Sequence, residues 1–221
     1  MIELLNINKS FQDGNNRINH VLRDLSLRVS DGEFVAIKGT SGAGKTTLLN
    51  ILGTLLKPDS GTYLLNGVDV TKPGINLAAI RNQQIGFVFQ DHRLMPQFSV
   101  FHNILLPTLA TKKVYTKEEK AYALKLMELT HISALANQYP ATLSGGEASR
   151  VAVCRALIMK PDVLLADEPT GQLDKGNARN IALLLKDINR ELHTTIVMVT
   201  HSDETSSVAD RIMTLNEGKI E

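Results

Sequence analysis

The sequence predicts an α/β protein: a largely parallel sheet flanked by helices, with an N-terminal antiparallel β subdomain and an α-helical subdomain inserted near residues 91–160. Three observations carry this. The runs VLLAD (163–167) and TTIVMVT (194–200) are short and mostly apolar, as strands covered on both faces must be. Between them Ile181, Leu184, Leu185, Ile188 and Leu192 recur at helical spacing, and a strand–helix–strand unit makes a parallel crossover. A glycine-rich turn at 39–44 joins the strand EFVAIK to a helix.

In chain order, strands are expected at 2–7, 21–29 and 33–37, with Asp13-Gly14 and Asp31-Gly32 as turns. A helix follows at 45–56, then a turn-rich β stretch at 61–70. IGFVFQ reads as a strand closed by Gln90. Beyond it the character changes, with helices predicted at 98–110, 117–129 and 144–159. The second of these opens on the capping box Thr116-x-x-Glu119, the third on Ser144-x-x-Glu147. The strands 163–167 and 194–200 complete the sheet, and the whole chain, 1–221, reads as one domain.

The bulk numbers exclude several classes. With 221 residues, 43% of them apolar, the chain can bury a substantial core. A net charge of +1 gives no basic surface for nucleic acid, so no nucleic-acid partner is expected. Cys154, the single cysteine, rules out an internal disulfide and a cysteine metal cluster, and reads as a small buried hydrophobe. The N-terminus lacks signal-peptide order, and no run approaches the roughly 18 apolar residues of a membrane span. The chain is expected to be intracellular, any membrane belonging to a partner.

The strongest chemical signal is GTSGAGKT at 39–46, a full match to G-x-x-x-x-G-K-[ST] placed between a strand and a helix. Gly39, Thr40, Ser41, Gly42, Ala43 and Gly44 would turn backbone amides around phosphates, and the helix N-terminus adds a favourable dipole. Lys45 would reach the β and γ phosphates, and the Thr46 hydroxyl would bind Mg2+. Asp167 and Glu168 close the apolar strand at 163–167. Asp167 is placed to hold Mg2+ and Glu168 to polarise an attacking water. His201 follows the last apolar strand. Ligands in open α/β sheets bind beyond the carboxyl ends of strands, so His201, Asp167 and Gly39 should converge. The Gln90 amide is a further candidate for Mg2+ or water. The other histidines, including His92, are read as structural or merely exposed.

LSGGE at 143–147 poses a question, because a cap accounts for Ser144 and Glu147 but not for the two glycines between them. Ser144 with the bare amides of Gly145 and Gly146 would make a second anion site. A second cradle in a chain that already has one makes sense if it serves ATP held by another copy, in a head-to-tail dimer.

Taken in order, 39–46, Gln90, 143–147, 163–168, GQLD at 171–174 and His201 resemble the nucleotide-binding domain of an ABC ATPase over essentially the whole chain. The resemblance implies a RecA-like P-loop NTPase core, ATP and Mg2+ as cofactors, and an ATP-dependent homodimer. It also implies that Phe11 stacks on adenine where the family usually has Tyr, that Thr47 joins the phosphate contacts, and that Asp174 acts across the dimer. Two departures stand out. Ala148-Ser149 replaces the family's usual glutamine-containing pair before Arg150, and GQLD replaces the commoner Ser-Ala-Leu-Asp.

RNQQIGFVFQ, LMPQFSVFHNILLP and LLADEPTGQLD resemble the bacterial group of lipoprotein-releasing (Lol) ATPases, MacB exporters and FtsE division ATPases. That resemblance implies an integral membrane permease partner (MacB-, LolCE- or FtsX-like). It also implies a location in the cytoplasm, peripheral on the inner face of the cell membrane. An FtsE-like regulator that transports nothing is the alternative. Leu94, Met95, Phe98, Val100 and Phe101 are expected to line the groove for the partner's coupling helix, or else to fill the core of the insertion.

Overall fold

The computed structural model describes every residue except Met1, Asp13, Asn15 and Thr111. The turn expected at Asp13-Gly14 therefore lies in part outside the described residues. The chain begins with β1 (Ile2–Gln12), β2 (Ile18–Val29) and β3 (Phe34–Lys38), then α1 (Lys45–Leu52), β4 (Ser60–Leu65) and β5 (Val68–Asp69). Next come α2 (Leu77–Gln83), β6 (Ile85–Val88), α3 (Val100–Leu105), α4 (Lys117–Leu129) and α5 (Gly145–Leu157). The last third runs β7 (Val163–Asp167), α6 (Lys175–Leu192), β8 (Thr195–Thr200), α7 (Asp203–Ser206), β9 (Arg211–Asn216) and β10 (Lys219–Ile220).

These strands form two sheets. One has the order β2-β1-β4-β5 and is antiparallel throughout. The other has the order β10-β9-β3-β8-β7-β6, parallel except where β10 returns beside β9. Strand alternation explains how the second sheet organises the molecule. Phe34 and Ala36, Leu164 and Ala166, and Ile196 and Met198 face a core shared with α3, α4, α5 and α6. Their neighbours Val35 and Ile37, Val163 and Leu165, and Val197 and Val199 face a second core with α1 and the antiparallel sheet. A sheet covered on both faces needs apolar residues at both parities, as VLLAD and TIVMVT supply.

Several elements depart from expectation. The first helix stops at Leu52, four residues early. Gly53 caps it, and position 53 must be glycine because a Cβ there would lie 1.8 Å from the Phe87 ring. Within 98–110 the α-helix ends at Leu105 and tightens into a 3-10 turn at Leu106–Ala110, where Pro107 has no amide to donate. Gln90 does not close a strand: β6 ends at Val88 and Gln90 lies in the following loop. The short α2, capped by Asn76, buries no residue and so left no apolar periodicity to read. The strand β9 pairs with β3 in the sheet interior, yet only Leu215 of its residues is buried. Among the described residues no helix is long and apolar enough to cross a membrane.

Candidate active site

The loop 39–44 leaves β3 and turns into α1 through Gly44, whose φ of 101° lies where side-chain-bearing residues are strained. Lys45, 9% exposed, folds back so that Nζ donates to the carbonyls of Gly39 (2.9 Å) and Thr40 (3.1 Å). The same Nζ lies 3.7 Å from Glu168 Oε1. The Ala43 amide donates to the Thr40 carbonyl at 3.2 Å, which closes the turn.

Glu168 follows β7 and adopts φ 44°, a left-handed conformation uncommon for a residue with a side chain. Its amide donates to the Val199 carbonyl (3.0 Å) and its carbonyl accepts from Gly171 (2.9 Å). The turn thus aims the carboxylate back over the strand ends. There Oε2 meets His201 Nδ1 at 3.0 Å and the His201 amide at 3.3 Å. With Nδ1 engaged, only Nε2 is left to address a ligand. Burial, and then the adjacent Glu168 carboxylate, push the Asp167 carboxyl above the usual carboxylate range; a hydrogen bond from the Thr46 hydroxyl and the Lys45 charge oppose the rise.

An open cleft of about 420 Å³ collects Ser41, Gly42, Gly44, Lys45, Thr46 and Thr47 from the loop and α1. Phe11 and Val21 from the antiparallel sheet also line it, together with Gln90 and Glu168 from beyond the parallel strands. Phe11 is 44% exposed, and Lys9 Nζ lies 5.5 Å from its ring centre, steadied by an ion pair to Asp59 (2.6 Å). Gln90 Nε2 lies 3.0 Å from where a Gly171 Cβ would be, so Gly171 leaves the amide room to reach the cleft.

The LSGGE segment does not line this cleft. Ser144 caps α5, with its amide and hydroxyl both donating to Glu147 Oε2 (2.7 and 2.6 Å). Those bonds hold the Glu147 carboxyl below its ordinary range. Gly145 has a reason within the chain that the sequence did not reveal, since a Cβ there would sit 3.0 Å from Leu173 Cδ2; one at Gly146 would make an ordinary contact, 3.4 Å from Asn177 Oδ1, and nothing within the chain demands glycine at that position. Asp174 caps α6 through the Asn177 amide (3.1 Å) and holds the Asn177 side chain (2.6 Å). The segment after Gln90 is likewise tied to α5: His92 Nε2 lies 2.8 Å from Ser149 Oγ, and Arg155 donates to the His92 and Arg93 carbonyls.

The expected groove is corrected in part. Val100 is fully buried in the core, and Leu94 and Phe101 pack against that core. Met95 remains exposed. An open groove of about 320 Å³ lies nearby instead, with Arg81, Phe87, Phe89, Arg93 and Arg155 in its wall.

A glycine loop cradling a lysine, an acid pair at one strand end and a histidine at the next is the arrangement of a phosphate-cleaving site. The model of the ABC transporter family matches residues 22–171. The chain belongs to the ABC transporter family. It is 45% identical over 225 residues to the lipoprotein-releasing system ATP-binding protein LolD of Syntrophus aciditrophicus, covering 100% of this chain and 98% of that protein. It is 40% identical to the macrolide export ATP-binding/permease protein MacB of Rhodopirellula baltica, covering 100% of this chain but 32% of that longer protein. The dimeric post-hydrolysis structure of the ATP-binding cassette MJ0796, bound to ADP and Pi, superposes with a TM-score of 0.89 at 36% identity, over 100% of this chain and 97% of that one. This is therefore an ABC ATPase cassette of the LolD and MacB group, with the α/β fold read from its sequence. The FtsE-like alternative is not favoured.

Proposed function

We propose that this cassette dimerises head to tail on two ATP molecules and drives an integral membrane permease while held at the inner face of the cell membrane. The observation that carries the catalytic part is the meeting of Lys45, Glu168 and His201 at one edge of a cleft that Phe11 and Gln90 also line. Phe11 offers an exposed aromatic face for adenine. Loop amides and Lys45 hold the phosphates, and Lys45 exchanges the Gly39 and Thr40 carbonyls for phosphate oxygens. Glu168, oriented by two bonds from His201, accepts the proton of the attacking water, and His201 Nε2 faces the terminal phosphate.

The Thr46 hydroxyl, the Asp167 carboxylate and the Gln90 amide are hard oxygen donors of the kind Mg2+ takes, and Thr46 already reaches Asp167. Bound there, Mg2+ would neutralise phosphate charge. Asp167 would then be held as the anion, against the rise that burial imposes.

The dimer is supported by what one chain leaves incomplete. Ser144, Gly145 and Gly146 present a helix N-terminus away from the chain's own cleft, where a second copy's phosphate could replace Glu147 as the partner of Ser144. Asp174 would meet the second copy near that junction. The helices between 91 and 160 form the subdomain that carries this cradle. A permease partner is supported by the similarity to LolD and MacB.

The test is capture of the partner with Glu168→Gln, locked by ATP and extracted with the membrane. A permease of the Lol or MacB kind is the expected catch. An FtsX-like protein with division factors would make the chain a regulator, and no membrane protein at all would contradict the coupling.

A further inference from the structure

The loop after Gln90 passes through His92 (φ 56°) and Arg93 (φ 47°), two successive side-chain-bearing residues in the left-handed region. Such a pair persists only where surrounding contacts hold it. Here α5 does the holding. Arg155 donates to both carbonyls, at 2.5 Å to His92 and 2.6 Å to Arg93, and the Arg93 guanidinium lies over the Phe89 ring, 4.0 Å from its centre.

The Ser149 hydroxyl, fully buried, donates to the Gly145 carbonyl at 3.0 Å. Its proton is thereby used, so at 2.8 Å it accepts from His92 Nε2. Two hydrogen bonds thus run from the loop that carries Gln90 to Gly145, the first residue of α5 and the middle one of the cradle. The residue in the middle is Ser149, one of the positions where the sequence departs from the usual family pattern.

We propose that His92, Ser149 and the Gly145 carbonyl form a relay that makes the Gln90 loop and the Ser144–Gly146 turn one mechanical unit, so that nucleotide in a chain's own cleft positions the cradle it offers to the second copy. His92 and Ser149 are positioning residues in this scheme, since neither lines the cleft. The relay rests on the ATP-bridged dimer proposed above.

Ser149→Ala removes both bonds while keeping a good helix former. In the Glu168→Gln background, ATP-dependent dimerisation followed by analytical ultracentrifugation should weaken about tenfold. In the otherwise natural chain, kcat should fall by a similar factor with KM and monomer ATP affinity changed less than about twofold. His92→Ala should do the same, and the double variant should be no worse than either single one, because both cut the same relay. Should Ser149→Ala fail to fold, His92→Ala on the loop carries the test alone. Dimerisation and kcat like those of the parent chain, or a loss shared equally by ATP affinity, overturn the relay. So do losses that simply add in the double variant. If Glu168→Gln stays monomeric with saturating ATP, the dimer reading falls and the relay with it. A dimer that forms equally well without the Ser149 hydroxyl overturns the relay alone.

Discussion

The two glycine-bearing helix starts of this chain are in opposite conditions. At α1 the loop 39–44 stands open at a cleft, and Lys45 rests on the carbonyls of Gly39 and Thr40, partners that a phosphate can replace. At α5 the equivalent turn is closed on itself: Ser144 and Glu147 satisfy one another, and Gly145 and Gly146 lie against Leu173 and Asn177. Both are helix N-termini with positive dipole ends and bare amides. The difference is what surrounds them. The first is encircled by Glu168, Gln90 and Phe11 from its own chain, whereas nothing of its own cleft reaches the second. A helix start becomes a working anion site when other elements bring chemistry to it, and in the proposed dimer those elements would reach α5 from a second copy.

This contrast can be broken in order of effect. Glu168→Gln strikes the complete site and should lower turnover about a hundredfold or more while ATP binding survives, measured by steady-state ATPase and calorimetric titration. Turnover near that of the parent chain would remove Glu168 from its role. Gly146→Ala strikes the α5 turn. The structural reading alone expects a mild change of about 1 kcal/mol or less, since Ala favours helix and its Cβ would touch Asn177 at 3.4 Å. The phosphate reading expects a stable protein whose turnover falls at least about tenfold. Thermal melting and ATPase assays on one preparation separate the two. Phe11→Ala should raise the KM for ATP about fivefold with kcat nearly unchanged, because stacking serves binding and not cleavage. Cys154 should show no effect of chemistry at all. Burial pushes its thiol up to about 12, so a thiol reagent near pH 8 should leave it untouched until the chain unfolds.

How much of this the sequence disclosed follows from distance along the chain. The 39–46 loop was legible because all its parts are contiguous and their neighbours, a strand and a helix, have clear periodicities. That the acid pair and His201 lie at neighbouring strand ends was legible through topology, since β7 and β8 are adjacent and parallel; that Glu168 rather than Asp167 meets His201 was not, because it depends on the left-handed turn at Glu168. The capping box at Ser144 was local, and it formed as expected. The contacts of Gly145 and Gly146 with Leu173 and Asn177 were hidden, because they join turns far apart in sequence. So were the bonds from α5 to His92, which join residues more than fifty positions apart. The strand β9 escaped notice because only Leu215 of RIMTLN is buried, so no apolar run marked it. Val100 belongs to the core, one of the two readings the sequence left open for it, since apolar character alone does not tell which side of a helix faces inward.

The most direct test of the central claim, that two copies complete each other's sites, is the mass of Glu168→Gln in solution with and without ATP, read by sedimentation. A 24.2 kDa monomer is expected without nucleotide, passing to a dimer with ATP, and a Ser144→Ala variant of the same protein should bind ATP but dimerise poorly. A chain that binds ATP and remains a monomer, or one whose dimer is indifferent to Ser144, would contradict it.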